Sequence, residues 1–491
     1  MKWFHLDLIA VVALLCAGCM VGPDYFRPSV PVTPAYKEDQ GWKLAQPRDQ
    51  IPRSKWWEIF GDPQLNALEE QVDQANQNVK VAEARYRQAR ALIGFFRAGL
   101  FPTVTAGASA NSVRNSTVRP FGSPSSGASG GTSGGTSTGT SSSGASSGEF
   151  LLTGDISYEI DLWGRIRRSV TAAREEAQAS AADLETARLS LQAELAFDYF
   201  ELRSADAQQR LLNDTVQAFK EALQLTINRF EGGAAPKSDV AQAQTQLETT
   251  QVQATDIAVQ RAQFEHAIAT LVGKPPADFS LPPAPLELQP PDIPAGLPSE
   301  LLERRPDIAA AERRVAEANE QIGIAKAAYF PTVTLNALLG FESSSIRNLG
   351  GWQSFLWAVG SSLAQTVFDG GRRRATSKAA LANYDATVAS YRQATLDAFQ
   401  QVEDNLAALR ILEQEAEQQQ RAVASARESL QLFSNRYKGG VDTYLQVITA
   451  QTVTLANERN QVDILRRRMD ASVLLVKAVG GGWNVTDLPN L

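Results

Sequence analysis

Thirteen residues, Glu221-Ala-Leu-Gln-Leu-Thr-Ile-Asn-Arg-Phe-Glu-Gly-Gly233, recur as Glu428-Ser-Leu-Gln-Leu-Phe-Ser-Asn-Arg-Tyr-Lys-Gly-Gly440, eight of them identical at an offset of 207. A match of this quality commits the 491-residue chain to two copies of one structural unit. The same offset joins Val240 to Val447, Gln244 to Gln451, Ile257 to Ile464, Arg261 to Arg468, Gly273 to Gly480 and Gly164-Arg165 to Gly371-Arg372. Further upstream Phe101-Pro-Thr-Val-Thr matches Phe330-Pro-Thr-Val-Thr at an offset of 229, so the first copy carries 22 extra residues. They fall in Ser123–Gly148, which holds only Ser, Gly, Thr, Ala and Pro and reads as a flexible loop with nothing to bury. A Pro-rich stretch from Pro275 to Pro298 joins the copies.

Each copy reads as the same series of elements. A helical pattern over about 62–98 (300–328 in the second copy) precedes a strand pair over 101–112 and 151–162 (331–341 and 354–368). A helix of about 65 residues follows, over 165–231 and again over 372–438, and a return helix over 237–272 and 442–478 closes the copy. At 1.5 Å per residue the long helices span roughly 100 Å, which implies an elongated molecule. The return helix explains how such a helix is supported. Val240, Ala243, Leu247, Thr250, Ala254, Ile257, Arg261, Phe264, Ile268 and Leu271 alternate steps of three and four, the seam of a coiled coil. Gly232-Gly233 and Gly439-Gly440 are then the hairpin tips, where glycine supplies positive φ.

The strands have period two. Ile156, Tyr158, Ile160 and Leu162 alternate with Asp155, Ser157, Glu159 and Asp161; Val333, Leu335, Ala337, Leu339 and Phe341 do so more weakly with their neighbours. Ten-residue strands of this pattern, with Phe101, Trp163, Phe330, Trp352, Trp357 and Phe368 at their ends, fit a membrane barrel with aromatic girdles. Four strands cannot enclose a water-filled lumen, and lipid forbids an open sheet edge, so several chains must pool their strands; three would give twelve. Arg165, Arg167, Arg168 and Arg372, Arg373, Arg374 start the long helices, either solvated or set against anionic headgroups.

Composition removes most other functions. Of two Cys and two His, only His266 lies beyond residue 19, which excludes a disulfide framework, a Cys/His zinc site and a cysteine nucleophile in an exported chain. His266 itself reads as structural or solvated. The net charge of −7 argues against a nucleic-acid partner, and no phosphate-binding Gly-rich loop occurs. Lys2, the apolar run Leu8–Leu15 and Cys16-Ala-Gly-Cys19 form an export leader too short to span a membrane. The small residues before Cys19 resemble a bacterial lipoprotein box, with a lipidated Cys19 as mature N-terminus and Met20 implying outer-membrane sorting. No cofactor other than that lipid is expected, and no enzymatic activity.

At these residues the chain resembles the outer membrane factor family, the TolC-like exit ducts of tripartite efflux systems, and within it the lipoprotein branch (OprM- and NodT-like). The markers are Cys19-Met-Val-Gly-Pro-Asp-Tyr-Phe-Arg-Pro28, Trp56-Trp57, Phe60-Gly-Asp-Pro-Gln-Leu-Asn66 and Asp161-Leu-Trp-Gly-Arg165. Arg305-Pro-Asp307, Ala325-Lys-Ala-Ala-Tyr-Phe-Pro331, Phe368-Asp-Gly-Gly-Arg372, Arg436-Tyr-Lys-Gly-Gly440 and Tyr444-Leu-Gln-Val447 continue the series. The resemblance implies an α+β membrane protein: a long antiparallel α-helical coiled-coil barrel in the periplasm plus a transmembrane β-barrel assembled from four strands per chain in a homotrimer. The segments become a leader (1–18), a lipid-anchored extension (19–61), two repeats (62–274 and 300–480), a linker (275–299) and a tail (481–491).

It also implies partners and a site. A periplasmic adaptor and an inner-membrane pump of RND type would engage hairpin tips carrying Arg229, Gly232, Gly233, Arg436, Gly439 and Gly440. Tyr437 and Asp239 match a Tyr and an Asp that hydrogen-bond between neighbouring hairpins at the periplasmic gate, and Leu445 matches an apolar constriction residue. Gln446 and Thr449 stand where many members carry acids, Asp442 stands where the TolC-like partner is Arg, and Asp239 is the first-copy equivalent of Gln446. Small-molecule efflux is the function so implied; a protein-secretion conduit and a lipid-tethered coiled-coil scaffold are the alternatives.

Overall fold

A computed structural model describes residues 20–38, 55–114, 146–284, 286, 288–291, 293 and 300–491. The leader, Cys19 and most of the Ser/Gly tract lie outside the described residues, as does part of the linker. In chain order the helices are α1 (Pro63–Ala75), α2 (Gln77–Ala98), α3 (Arg165–Glu231), α4 (Lys237–Leu271), α5 (Pro306–Ala327), α6 (Arg372–Lys438) and α7 (Tyr444–Ala478). The strands are β1 (Thr103–Arg114), β2 (Ser146–Ile160), β3 (Thr332–Ser343) and β4 (Phe355–Ala364). Among the described residues no helix is long and apolar enough to cross a membrane.

Most paired elements of the two copies coincide in their ends. α2 and α5, and β1 and β3, begin and end 229 positions apart; α3 and α6, and α4 and α7, do so at 207. β2 and β4 depart from this rule, because β4 is shorter at both ends than β2 would place it. The helix expected over 62–98 is two helices, and Asn76 is the reason. Asn76 takes an extended backbone (ψ 128°), its Oδ1 accepts from the Asn78 and Val79 amides at 2.8 and 3.2 Å, and its Nδ2 donates to the Leu271 carbonyl at 2.8 Å. The asparagine ends one helix and caps the next. The expected helix over 300–328 likewise breaks ahead of Pro306, leaving a single turn over Leu301–Arg304.

The chain divides into two units. One holds the described parts of Met1–Tyr25, Leu92–Ala173 and Asn319–Ala382, and contains the antiparallel sheet in the order β1-β2-β3-β4. The other, Phe26–Ala91, Arg174–Ala318 and Asn383–Leu491, holds the hairpins. In α4 the expected seam is the buried side, with Ala243, Leu247, Thr250, Ile257, Ile268 and Leu271 all out of solvent. Burying each Leu or Ile contributes about 1.5–3 kcal/mol, which is what holds helices of this length in antiparallel contact. His266 is exposed.

Gly273 and Gly480 close the return helices at φ 71° and 95°. A Cβ on Gly273 would sit 2.6 Å from the Ala75 carbonyl oxygen and one on Gly480 2.0 Å from that of Arg304, so the repeat conserves the close approach as well as the glycine. Gly480→Ala therefore combines a left-handed φ with a backbone clash, and is expected to cost about 2 kcal/mol or more, read as a fall in thermal midpoint.

One buried charge cluster is poorly balanced. Arg466 serves Asp463 at 2.8 Å, Asp470 at 3.0 Å and also Glu201, while Asp470 Oδ1 is buried with no hydrogen-bond partner. Burial drives the Asp470 carboxyl up to about 7 against the pull of Arg466, and drives Asp198 to about 7 with Glu194 and Glu201 adding to it. A carboxyl raised above its ordinary 3.8 binds a proton more tightly when folded. Its contribution favours the fold below about pH 4 and is lost as pH rises through about 7. Asp470→Asn is expected to narrow the difference in thermal midpoint between about pH 5 and about pH 8.

Candidate functional site

The hairpin tips are shaped by their last helical turn. At the end of α3, Gly233 (φ 74°) donates to the Phe230 carbonyl at 2.9 Å and Ala234 to that of Arg229 at 2.8 Å. At the end of α6, Gly440 (φ 78°) and Val441 repeat both bonds, to Tyr437 and Arg436, each at 3.0 Å. This paired closure satisfies carbonyls the helix leaves open and requires the left-handed glycine.

Arg229 and Arg436 occupy equivalent repeat positions but bind different groups. Arg229 Nη1 donates to the Tyr437 and Lys438 carbonyls at 2.9 and 3.1 Å, and its guanidinium lies 4.6 Å above the Tyr437 ring. It thus places a cation on the C-terminal end of α6, where the helix dipole favours one. Arg436 instead forks onto Asp442 of its own hairpin, Nε to Oδ2 at 2.5 Å and Nη2 to Oδ1 at 3.3 Å. The first copy has Ala235 at that position, so Arg229 has no such acid to hold it.

Tyr437 is buried against Tyr444, ring centroids 5.2 Å apart, in a cluster with Ala243 and Val447. Its hydroxyl has no hydrogen-bond partner among the described residues. Burial, reinforced by Tyr437, pushes the Tyr444 hydroxyl up to about 12, partly offset by the polar side chain of the fully buried Thr226. Asp239 lies in the first turn of α4. Partial burial raises its carboxyl and Arg229 pulls it back. Leu445, Gln446 and Thr449 share the exposed side of α7, opposite Tyr444 and Val447. Arg229, Tyr437 and Asp239 are thus brought together, Asp442 pairs within its own hairpin, and Leu445, Gln446 and Thr449 stay open to solvent. The reach of Arg229 and the role of Tyr444 were not read from the sequence; the signal was there in Ala235 standing opposite Asp442 in the repeat.

The sheet sorts most of its side chains by face, with Leu151, Leu338 and Leu356 as apolar exceptions on the polar side. The pairings Val104–Ile156, Ile156–Ala337 and Ala337–Val359 put Leu152, Ile156, Tyr158, Val333, Leu335, Leu339, Trp357, Val359 and Leu363 on one face. Thr103, Thr105, Asn111, Thr153, Asp155, Ser157, Glu159, Thr334, Asn336, Glu342 and Ser362 line the other. Trp163 stacks on Phe330 with centroids 4.6 Å apart and donates to the Pro331 carbonyl at 2.7 Å.

Four of the six arginines beyond the strands are tied down, while Arg372 and Arg374 are exposed. Arg165 pairs with Glu159 at 2.8 Å, Arg167 with Asp161 at 3.4 Å and Arg373 with Asp369 at 2.7 Å. Arg168 is neither solvated nor free for headgroups. It is fully buried, bonded to Glu320 at 2.7 Å and to the Val21 carbonyl at 2.8 Å. Val21 in turn donates to the Trp163 carbonyl at 3.1 Å, and Asn319 to that of Pro23 at 3.2 Å. The residues that follow Cys19 are therefore fixed beside the aromatic end of β2. Sequence spacing could not single out Arg168, because its partner lies 152 residues away.

The outer membrane efflux protein family matches residues 68–274 and 297–481. The chain belongs to this family. It is 32% identical to the toluene efflux pump outer membrane protein TtgF of Pseudomonas putida over 498 aligned residues, covering all of this chain and 99% of that one. It is 32% identical to the pyoverdine export outer membrane protein OpmQ of Pseudomonas aeruginosa, covering 87% of each. It is also similar to the solved outer-membrane channel OprN, with 31% identity, a TM-score of 0.85, and coverage of 95% of this chain and all of that one. Outer membrane efflux proteins form a family of transport channels, not of enzymes. The chain is accordingly an outer membrane protein of a Gram-negative bacterium, with its helical part in the periplasm.

Removing one side of the Arg168–Glu320 pair strands the other. Arg168→Met is expected to cost about 3–5 kcal/mol, whereas Arg168→Met with Glu320→Leu recovers most of that loss in thermal unfolding.

Proposed function

We propose that three copies of the chain form the outer-membrane exit duct of a tripartite efflux system, opened by a periplasmic adaptor and an inner-membrane pump of RND type. The observation that carries this reading is a sheet with one apolar face, one polar face and two unpaired edges, β1 and β4. In hydrocarbon each unpaired backbone group costs several kcal/mol, so the edges must close on other copies. Twelve strands leave an aqueous lumen, lined here by the threonines, serines and acids of the polar face. The duct is passive. It carries out no chemistry, and small molecules pass through it under the pump's drive, in keeping with the toluene and pyoverdine for which TtgF and OpmQ are named.

Cys19 is lipidated on this reading. Val21 is bonded to Trp163 and Pro23 to Asn319, so the acyl chains would enter the membrane at the level of the aromatic girdle. The hairpin ends form the gate. Asp239, Tyr437, Asp442, Leu445, Gln446 and Thr449 surround its narrowest part, and the tips with Arg229, Gly232, Gly233, Arg436, Gly439 and Gly440 meet the adaptor. Asp239 is the acid at this constriction, and its removal loosens contact between neighbouring hairpins.

Purified protein in a planar bilayer is expected to give discrete conductance steps, with a trimer mass from the same sample. Asp239→Ala is expected to raise the resting conductance. A folded trimer that never conducts, with or without the substitution, overturns the duct.

A further inference from the structure

Among the described strands, β4 is the one that breaks the repeat. Shifted by 207, β2 would place it over 353–367, yet it runs only from Phe355 to Ala364. β2 is flanked on both sides, by β1 and β3, and β4 only by β3. Gln365, Thr366 and Val367 lie outside the strand, and Val367 is 91% exposed. Their first-copy equivalents, Tyr158, Glu159 and Ile160, are strand residues paired with Leu335, Thr334 and Val333. The strand stops where its second partner is missing.

The repeat also says what that partner is. Shifting β1 by 229 and β2 by 207 carries the observed pair Thr103–Ser157 onto the observed pair Thr332–Ala364, so the offsets transfer strand register without error. We infer, on the trimeric reading above, that the β2–β3 junction inside the chain is the template for the junction between chains, and that it fixes the register in which β4 of one copy meets β1 of the next. Ile160–Val333, Ile156–Ala337 and Leu152–Phe341 become Val367–Val104, Leu363–Ala108 and Val359–Ser112 on the apolar face. Asp155–Leu338 and Gly154–Leu339 become Ser362–Ser109 and Ser361–Ala110.

The surface of the single chain agrees with this partner. Val104, Val359, Leu363 and Val367 are 69–91% exposed along the two edges, and the register sets Val367 directly on Val104. Phe101 and Phe368, both exposed, lie near this pair, although the offsets place Gly370, not Phe368, opposite Phe101. A slip of one residue would turn the apolar face inward, so the competing registers are those displaced by two.

Paired cysteines read the register directly, since Cys16 and Cys19 are the sequence's only native cysteines. Directly opposed residues lie within disulfide reach, and adjacent pairs alternate between the wide and close spacing, so two neighbouring pairs cover both. Full-length chains carrying Ser362→Cys with Ser109→Cys, or Ser361→Cys with Ala110→Cys, are oxidised in the membrane and run on denaturing gels. Asp155→Cys with Leu338→Cys, the same pair inside one chain, sets the yield that correct geometry gives. A shift from monomer to covalent trimer in at least one intersubunit pair, at the yield of that control, supports the register. Cross-linking instead from Ser362→Cys with Gly107→Cys or with Asn111→Cys, or an intact trimer that no pair cross-links, overturns it and leaves the trimer standing. A monomer mass in every variant and in the parent chain overturns the trimeric reading itself.

Discussion

A peptide group in hydrocarbon has only other peptide groups to bond, and this shapes the chain more than any side chain does. Four strands with two bare edges are a stable solution in water, where solvent satisfies the edges. In lipid they are an unfinished object, and the apolar face of β1 to β4 says that lipid is where they belong. The need for further copies follows from that one mismatch. So does the amphipathic period of the strands, because a closed barrel must separate lipid from water across a single layer of backbone. The long helices answer a second demand, since a 67-residue helix needs lateral support, and the 35-residue return helices α4 and α7 supply it over about half that length.

The repeat made much of this readable before any coordinates. Matching the 13-residue segments located both hairpin tips, and the period-two alternation around Ile156 and Tyr158 separated the faces of β2. Local, periodic signals survive in sequence because they depend on neighbours three, four or two positions away. What was not readable depends on distant partners. Asn76 caps α2 through its own neighbours, but the bond that also ties it to the Leu271 carbonyl is announced by nothing near it in sequence. Arg168 sits among arginines of identical appearance, and only Glu320 distinguishes it. The C-terminal end of β4 falls where its first-copy equivalent pairs with a second neighbour that β4 lacks within the chain.

The site was legible by position more than by arrangement. Tyr437, Asp239 and Arg229 fall together as the hairpins require, yet each does something that residue type alone leaves open. A buried tyrosine hydroxyl without a partner and an acid raised by burial are groups in want of a contact, and both lie at the hairpin ends. Leu445, Gln446 and Thr449, by contrast, already face solvent, so whatever they meet must come from outside the chain.

Arg229 and Arg436 show what joining two copies in one chain makes possible. A protein built from six separate identical repeats would have to give that arginine a single task, since every copy would be the same molecule. Fusion lifts the constraint: one arginine caps the neighbouring helix, while its twin is held at home by Asp442, a residue its counterpart lacks. The ring of hairpins is thereby one of alternating kinds, free to divide tasks between its odd and even members that a simple hexamer would have to compromise.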